Sequence, residues 1–286
     1  MSSNEGGLIM NILITGANGQ LGRELAKQYH KKKGINLILT DISELDITNV
    51  SRVNSFVSLN KPDIIINCAA LTDVEKCETE IDMAYKINTI GPKNLASAAN
   101  QIGAEIIQVS TDYVFNGNVN KSLTEFDEVN PQSIYGKTKL GGEILVKNLN
   151  PKHYIVRTAW LYGDGDNFVK NMINLSKTNK ILKVVNDQKG TPTSTVDLSR
   201  VIIKLIEDKN YGLFHCTCKG ECSWYEFTKE IFRIKGITTE VSRCKTNEFP
   251  RPAKRPEYSV LRNYMLELTT GDITRNWKEA LGEYLK

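Results

Sequence analysis

The chain has 286 residues, of which 40% are hydrophobic and 24% charged, and its formal net charge is +4. This length and composition suit an ordinary globular protein: one large domain, or a nucleotide-binding domain with a smaller companion. The mild, dispersed charge disfavours a nucleic-acid binder, and the lack of any run of about 18 apolar residues argues against a membrane-spanning segment.

The first nine residues, "MSSNEGGLI", lack the basic and then apolar layout of a signal peptide. They predict a disordered leader or an expression remnant, with Met10 as the natural start. The chain has six cysteines, few for its length, which suits reduced thiols. We therefore expect a cytoplasmic protein.

From Met10 to about residue 160, short apolar runs alternate with helical stretches. The strand candidates are "NILITG", "INLILTD", "DIIINCAA", "AEIIQVST" and "HYIVRTAW". The helical stretches cover roughly residues 20–33, 49–59, 80–101 and 136–148. Runs that are continuously apolar suit parallel strands covered by helices on both faces. This order predicts an α/β fold with a Rossmann-like, doubly wound parallel sheet.

Beyond residue 160 the alternation loosens. Three further helices are predicted from "NFVKNMINLSKTNK", "TSTVDLSRVIIKLIEDK" and "SWYEFTKEIFRIKG". The segment "FPRPAKRPEYS" must be a loop because its prolines forbid a regular element. We predict a dinucleotide-binding domain over residues 10–160, completed by part of 184–206. Residues 161–286 then form mainly a smaller C-terminal substrate-binding domain.

A glycine-rich turn, "ILITGANGQLGREL", joins the first predicted strand to the first helix and carries Gly16, Gly19 and Gly22. Glycine is needed where a strand turns sharply, where backbone approaches a pyrophosphate and where a helix packs closely on a sheet. The turn therefore predicts a dinucleotide site at the helix N-terminus. Asp41 ends the next strand, where a carboxylate would bind the adenosine ribose and favour NADH. An ordinary turn residue is the alternative, so NADH and NADPH both stay open.

The stretch "YGKTK" places Tyr135 and Lys139 four positions apart, on one face of a predicted helix. A phenol with a pKa near ~10 is a sluggish acid or base at neutral pH, and a neighbouring ammonium group stabilises its phenolate. Thr111 ends the strand of "VSTDYVF", at the edge where parallel sheets bind ligands. We predict that these three side chains share a site for proton exchange with a carbonyl or alcohol oxygen.

A cysteine-rich stretch, "HCTCKGEC", raises the question of a metal site. Its C-x-C-x₃-C spacing differs from the usual zinc hairpin, and no second ligand pair follows. The alternation of "YGLFHCTC" predicts a strand with Cys216 and Cys218 on one face and His215 on the other. We predict no metal.

Seven motifs along the chain resemble one known family. They are "TGANGQLG", "NCAALTDVEKCE", "VSTDYVFNG", "YGKTKLGGE", "RTAWLYG", "NDQKGTPT" and "RPEYSVL". Together they resemble the extended short-chain dehydrogenase/reductase superfamily and, within it, the dTDP-4-dehydrorhamnose reductase family, over nearly the whole chain from Met10. The resemblance implies NADPH- or NADH-dependent reduction of the C4 keto group of a dTDP-linked 4-keto deoxysugar. It implies Thr111, Tyr135 and Lys139 as the catalytic residues.

The resemblance also assigns binding residues. For the cofactor it implies Gly19, Gln20 and Leu21 at the pyrophosphate, Asp46 and Ile47 at the adenine, Ala69, Ala70 and Leu71 along its length, and Lys139 at the nicotinamide ribose. For the sugar nucleotide it implies Thr111, Asp112 and Trp160, with Asn167 and Arg255 at the diphosphate. The alternatives are a helix cap for Asn167, a solvated side chain for Arg255 and a core position for Trp160.

Rival functions share the predicted scaffold. A 4,6-dehydratase is disfavoured because its family has Thr-Asp-Glu where this chain has Thr111, Asp112 and Tyr113. A nucleotide-sugar 4-epimerase needs only the Tyr/Lys pair and stays open. A non-catalytic binding protein, like the regulatory subunit of methionine adenosyltransferase that resembles the same family, also stays open. The sequence does not predict the oligomeric state.

Overall fold

A computed structural model describes residues 9–286, so all but the last residue of the predicted leader lies outside it. The strands are Met10–Thr15 (β1), Ile35–Thr40 (β2), Ile64–Asn67 (β3), Glu105–Thr111 (β4), His153–Thr158 (β5), Leu161–Tyr162 (β6), Ile181–Val185 (β7), Lys189–Gly190 (β8), Thr193–Ser194 (β9), Gly212–His215 (β10), Cys222–Ser223 (β11) and Glu240–Cys244 (β12). The α-helices are Gln20–Tyr29 (α1), Val50–Asn60 (α2), Val74–Thr79 (α3), Ile81–Tyr85 (α4), Gly91–Gln101 (α5), Ile134–Leu149 (α6), Phe168–Ser176 (α7), Thr195–Glu207 (α8), Trp224–Lys235 (α9), Tyr264–Leu268 (α10) and Trp277–Tyr284 (α11).

Six strands form the main sheet, in the order β10-β5-β4-β3-β1-β2, and every pair is parallel. The predicted doubly wound parallel sheet is therefore confirmed. The order reverses at β1, since β2 lies on one side of it and β3 on the other. Strand register aligns Thr15 with Asn67 and Thr111 with Thr158, so the carboxyl ends of these strands share one edge. Ligands of open α/β sheets bind at such an edge.

Both faces of the sheet are buried. Along β3, Ile64 and Ile66 pack into the core shared with α1 and α8, while Ile65 packs into the core shared with α2 and α5. This explains why the strand sequences are continuously apolar. Each such side chain contributes roughly 1.5–3 kcal/mol by burial.

A second, smaller unit follows β5. In it β7 pairs with β12, and α7, α9 and α11 enclose an aromatic core around Phe227 and Trp277. The chain does not stay in this unit. Leu198 and Ile202 of α8, Phe214 of β10 and later Leu266 of α10 all belong to the core of the main sheet.

Two local predictions differ from the structure. The helix predicted over residues 80–101 is interrupted by a π-helical turn, Lys86–Ile90, that separates α4 from α5. The prediction that Cys216 and Cys218 share a face is wrong. Strand β10 ends at His215, so its alternation stops, and Cys216 enters the core of the main sheet while Cys218 enters the core of the smaller unit.

Across residues 9–286, no helix combines the length and the apolar character needed to cross a lipid bilayer.

Candidate active site

The glycine turn after β1 has the geometry that a dinucleotide pyrophosphate requires. Gly16 has a φ of 65°, and a Cβ there would lie 2.7 Å from the Ala69 nitrogen. A Cβ on Gly22 would lie 2.4 Å from the Gly16 oxygen. Gly19 precedes α1 without a side-chain cap, which leaves the first-turn N–H groups for an anion. These residues therefore fit the phosphates of a nicotinamide dinucleotide.

A cleft of about 510 Å³ lies beside this turn. Seven of the predicted cofactor residues line it: Gly16, Gly19, Asp41, Asp46, Ile47, Ala69 and Ala70. Ile42, Leu45, Thr48, Cys68, Met83, Lys86 and Ile87 also line it and were not predicted. Leu21 instead packs in the core, and the Gln20 side chain accepts a hydrogen bond from the Gly163 nitrogen at 2.9 Å.

The two acidic residues that line this cleft, Asp41 and Asp46, also accept hydrogen bonds from nearby backbone nitrogens. The Asp41 carboxylate accepts hydrogen bonds from the nitrogens of Asn18, at 3.2 Å, and Ile42, at 2.9 Å. Asp46 Oδ1 accepts from the Thr48 nitrogen at 2.9 Å and from its hydroxyl at 2.8 Å. Asp41 is therefore a turn residue that also lines the cleft, and its contact with the adenosine ribose stays a prediction.

Asn88, in the π-helical turn, binds the backbone of Leu71, which follows Ala70 of the cleft lining. Its side-chain amide accepts from the Leu71 nitrogen at 2.8 Å and donates to the Leu71 oxygen at 3.0 Å. The backbone of Leu71 is thus tied to the helices behind it. Nothing in the sequence pattern pointed to this role for Asn88.

The three predicted catalytic residues converge where β4 meets α6. The Thr111 hydroxyl donates to Asp112 Oδ1 at 3.0 Å and accepts from the Tyr113 nitrogen at 3.2 Å. The Tyr135 ring packs edge-on against the Tyr113 ring, with centroids 5.4 Å apart, and the Thr111 hydroxyl acts to lower the pKa of the Tyr135 phenol. A Cβ on Gly136 would lie 2.2 Å from the Tyr113 oxygen, so this residue must be glycine for the start of α6 to approach the strand end so closely.

Burial dominates the protonation of this cluster. It raises the pKa of Tyr135 well above 10, against the opposing effect of the Thr111 hydroxyl. Burial lowers the pKa of Lys139 to about 8, and the Lys139 ammonium group donates to the Val109 oxygen at 2.6 Å. Burial also raises the pKa of Asp112 to about 6. The sequence-based expectation that Lys139 keeps the phenol pKa low is therefore wrong in this structure, because burial of the phenol dominates.

A second cleft, of about 790 Å³, is lined by residues that lie between Phe168 and Glu257 in the sequence. Its basic lining residues are Lys183, Arg251, Lys254 and Arg255, and its aromatic ones are Phe168, Trp224 and Phe249. Trp160 stacks on Trp224 with ring centroids 3.5 Å apart and planes at 8°, so it supports the Trp224 ring. Cations beside aromatic rings suit an anionic nucleotide.

Arg255 and Asn167, both predicted at the substrate diphosphate, have different surroundings. The Arg255 guanidinium lines the second cleft and pairs with Glu75 of α3 at 3.0 Å. The Asn167 side chain caps α7 by accepting from the Lys170 nitrogen at 3.1 Å and donates to the Gly163 oxygen at 2.8 Å. Contact of Asn167 with substrate stays a prediction, and these protein contacts favour the capping alternative.

The predicted residues do not include two buried or half-buried acids beside the site. Glu75 holds Arg255, and Glu143 pairs with Arg157 behind Lys139. The position of Glu143, four residues after Lys139 on one helix face, was available in the sequence. The Glu75 contact was not, because its partner lies 180 residues away.

Within residues 9–286, no group of three or more His, Cys, Asp or Glu side chains is arranged to hold a metal ion. A groove of about 880 Å³ beside α9 is lined by Glu226, Lys229 and Trp277 among others, and by none of the predicted site residues.

A parallel sheet with a glycine turn beside its switch point, and a Thr/Tyr/Lys cluster at the same edge, defines the extended short-chain dehydrogenase/reductase class. A family model described as the RmlD substrate binding domain matches residues 10–286, and the chain belongs to that family.

Solved structures and curated proteins resemble the chain over nearly its whole length. A dTDP-4-dehydrorhamnose reductase from Clostridium acetobutylicum is 70% identical, with a TM-score of 0.96 over 96% of this chain and 98% of that one. A dTDP-4-dehydrorhamnose reductase from Bacillus anthracis, in complex with NADP, is 42% identical, with a TM-score of 0.94 over 97% and 99%. The spore coat polysaccharide biosynthesis protein SpsK of Bacillus subtilis is 41% identical over 96% of each chain.

Proposed function

We propose that the protein reduces the C4 keto group of dTDP-4-dehydro-L-rhamnose to give dTDP-L-rhamnose, a polysaccharide precursor, with NADPH or NADH as cofactor. The observation that carries the proposal is the convergence of Thr111, Tyr135 and Lys139 next to the glycine-turn cleft. Reductases of this name at 70% and 42% identity support the same activity, and the Bacillus anthracis structure is a complex with NADP.

The proposed cofactor site follows the first cleft. The N–H groups at the start of α1, after Gly16 and Gly19, would hold the pyrophosphate. Asp41, Asp46 and Ile47 would surround the adenosine. Lys139 has three donors and gives one to the Val109 oxygen, so the others are available to ribose hydroxyls. When bound, the reduced nicotinamide supplies the hydride.

The proposed acid is the Tyr135 phenol. Its raised pKa keeps it protonated at neutral pH, as a proton donor must be. An alkoxide formed at C4 is a stronger base than phenolate, so proton transfer to it is favourable even from a buried phenol. The proton on the phenol oxygen passes to the sugar oxygen, and the O–H bond of Tyr135 breaks. Thr111 would hydrogen-bond the same sugar oxygen and so place it beside the phenol.

The proposed nucleotide site follows the second cleft. Arg251, Lys254 and Arg255 would compensate the charge of the diphosphate, and Trp224 offers a flat ring to a base. Thr111, at the end of β4, and Asp112 after it would contact the sugar. The partner is therefore a small nucleotide sugar. We also propose a cytoplasmic location, which the six free cysteines support.

The experiment is to mix the purified protein with dTDP-4-dehydro-L-rhamnose and NADPH or NADH and to follow cofactor absorbance near ~340 nm, which reduced nicotinamide alone shows. We expect absorbance to fall and dTDP-L-rhamnose to form. Tyr135→Phe should reduce turnover on the order of 10²–10⁴-fold while NADPH binding is kept. Tyr211→Phe is the matched control, because that phenol bonds Glu105 on the outer side of the sheet.

Other outcomes would identify the rivals. NAD that stays bound through purification, with interconversion of C4 epimers and no net oxidation of NADPH, would indicate an epimerase. Binding of cofactor without turnover of any nucleotide-linked 4-keto sugar would indicate a non-catalytic binding protein. Turnover by Tyr135→Phe at the rate of Tyr211→Phe would remove the phenol from the mechanism.

A further inference from the structure

Helix α6 carries a third ionisable residue on the face that holds the two proposed catalytic ones. Tyr135, Lys139 and Glu143 are spaced four residues apart, so they lie along one side of the helix. Lys139 and Glu143 are each only 4% exposed. Burying two charged residues on a helix is costly unless each has a partner, so the partners of Glu143 matter.

Glu143 joins three elements of the site. Its carboxylate accepts two hydrogen bonds from Arg157 of β5, Nε to Oε1 at 3.0 Å and Nη2 to Oε2 at 2.7 Å. Oε1 also accepts from the Ser110 hydroxyl on β4. Ser110 immediately precedes Thr111, and Glu143 lies one turn beyond Lys139. The carboxylate thus ties the helix of Tyr135 and Lys139 to the strand of Thr111.

The charges facing Lys139 come from several elements. Burial opposes its charged form, Glu143 on its own helix favours that form, and Cys68 after β3 and Cys77 on α3 would favour it only as thiolates. The two thiols stay neutral near pH 7, because burial raises the pKa of Cys68 to about 12 and that of Cys77 to about 11. Of these three groups, Glu143 alone is an anion. Val109 of β4 contributes a carbonyl oxygen.

We propose that Glu143 is a positioning residue, whose carboxylate holds α6 against β4 and keeps the Lys139 side chain charged for the cofactor. The proposal rests on the function proposed above and deepens it. Arg157 neutralises part of the Glu143 charge, and their bidentate geometry fixes the direction from which that charge acts on Lys139.

The test is the pH dependence of NADPH binding, measured by cofactor fluorescence without any sugar substrate. In the wild type, affinity should fall above about pH 8 as Lys139 loses its proton. In Glu143→Gln, Lys139 faces the Arg157 charge with no anion between, so the fall should begin about one pH unit lower. At pH 8 the Kd should be roughly fivefold higher than in the wild type, with a much smaller difference at pH 6.

Two further variants separate charge from folding. Glu143→Leu with Arg157→Met removes both charges, so its fall should begin between those of the wild type and Glu143→Gln. If Glu143→Gln fails to fold, this double variant replaces it in the experiment. Asp197→Asn breaks another buried bidentate pair, with Arg275 at 3.0 and 2.7 Å, away from Lys139. It should lower thermal stability and leave the pH profile of binding unchanged.

A direct measurement of the Lys139 titration completes the experiment. Its titration is followed by NMR of ¹³C- and ¹⁵N-labelled lysine side chains, with Lys139→Met to assign the signal, and it needs neither cofactor nor substrate. A lower titration midpoint in Glu143→Gln supports the proposal. The same midpoint in both proteins, or NADPH binding weakened by one factor at every pH, overturns it. Failure of the wild type to turn over the sugar nucleotide would overturn only the proposed function.

Discussion

The Asp112 side chain is 2% exposed, and it accepts the hydrogen bond of Thr111 at 3.0 Å. Burial raises its pKa from 3.8 to about 6, so the folded protein holds this proton more tightly than the unfolded chain does. The stability that this tighter proton binding by Asp112 contributes is fully present below about pH 4 and is lost as the pH rises through about 6. An ionised Asp112 therefore destabilises the fold at neutral pH, which is a cost of placing a carboxylate beside the reacting groups.

Replacing Asp112 with Asn should remove this dependence. We expect the unfolding free energy of the wild type to lose about 3 kcal/mol between pH 4 and pH 8 through this group, at ~1.36 kcal/mol per pKa unit. Asp112→Asn should lack that loss. The measurement is urea unfolding at several pH values.

Asp127 provides a control, because its contribution to stability changes with pH in the opposite direction. Hydrogen bonds from Lys121 and Thr124 lower its pKa to about 2, so its contribution is present above about pH 4 and is lost in acid. Asp127→Asn should therefore lose stability at pH 7 and not at pH 2. Equal pH dependence in the wild type and Asp112→Asn would show that Asp112 titrates normally in the folded protein.

Among the elements, β1 to β5 were predictable because their apolar runs have one explanation, a sheet buried on both faces. The sixth strand of the main sheet, β10, was harder to predict. Its sequence, Gly212–His215, alternates, but only the structure shows that its four residues pair with residues 154–157 of β5 at the edge of the sheet. The break at Lys86–Ile90 left no mark in the hydrophobic pattern. It coincides with the contact of Asn88 with Leu71, and it precedes Pro92, whose missing N–H disfavours a continuous helix there.

Two glycines within helices should respond oppositely to replacement by alanine. A Cβ on Gly142 of α6 would lie 2.4 Å from the Asn88 oxygen, a backbone atom that cannot yield without moving the π-helical turn. Gly142→Ala should cost roughly 1–3 kcal/mol of stability and weaken NADPH binding. Gly282 of α11 has nothing within 4 Å of that position, so Gly282→Ala should gain roughly 0.5–1 kcal/mol.

Thermal or urea unfolding of these two variants measures the effect. Stabilisation by both would mean that α6 can move away from the π-helical turn without loss. Destabilisation by both would mean that the helix propensity of alanine has no effect in α11.

At the scale of the whole molecule, residues 249–258 form a strap that runs from the smaller unit to the main one. Glu75 of α3 pairs with Arg255 at 3.0 Å and accepts from the Ala253 nitrogen at 3.0 Å. The far end is held where the Tyr258 nitrogen donates to the Gly117 oxygen at 3.1 Å. The prolines predicted this segment to be a loop, but they could not predict its partner in α3.

Loss of the Glu75 contact should free the strap. Trypsin does not cut efficiently before proline, so within this segment Lys254 is the accessible site, because Arg251 and Arg255 both precede proline. We expect Glu75→Ala to speed cleavage after Lys254 by roughly tenfold, the effect of losing about 1.4 kcal/mol of local stability. Limited proteolysis with mass spectrometry identifies the cut.

Glu80→Ala is the matched control, because Glu80 pairs only with exposed Lys76, at 3.7 Å. Its cleavage rate should equal that of the wild type. Added dTDP should slow cleavage of the wild type if the strap arginines bind it. Equal rates in Glu75→Ala and Glu80→Ala would mean that the strap is held by other contacts.

Strand β10 is synthesised after the other five strands of the main sheet, and this order affects folding during synthesis. During synthesis β5 emerges with β4 on one side and no neighbour on the other, since its partner strand ends at His215. Until then the nascent polypeptide presents an open, apolar strand edge, the kind of surface that invites mispairing. We therefore infer that the nucleotide-binding half cannot mature on the ribosome ahead of the rest, and that a truncated chain ending at residue 160 would aggregate.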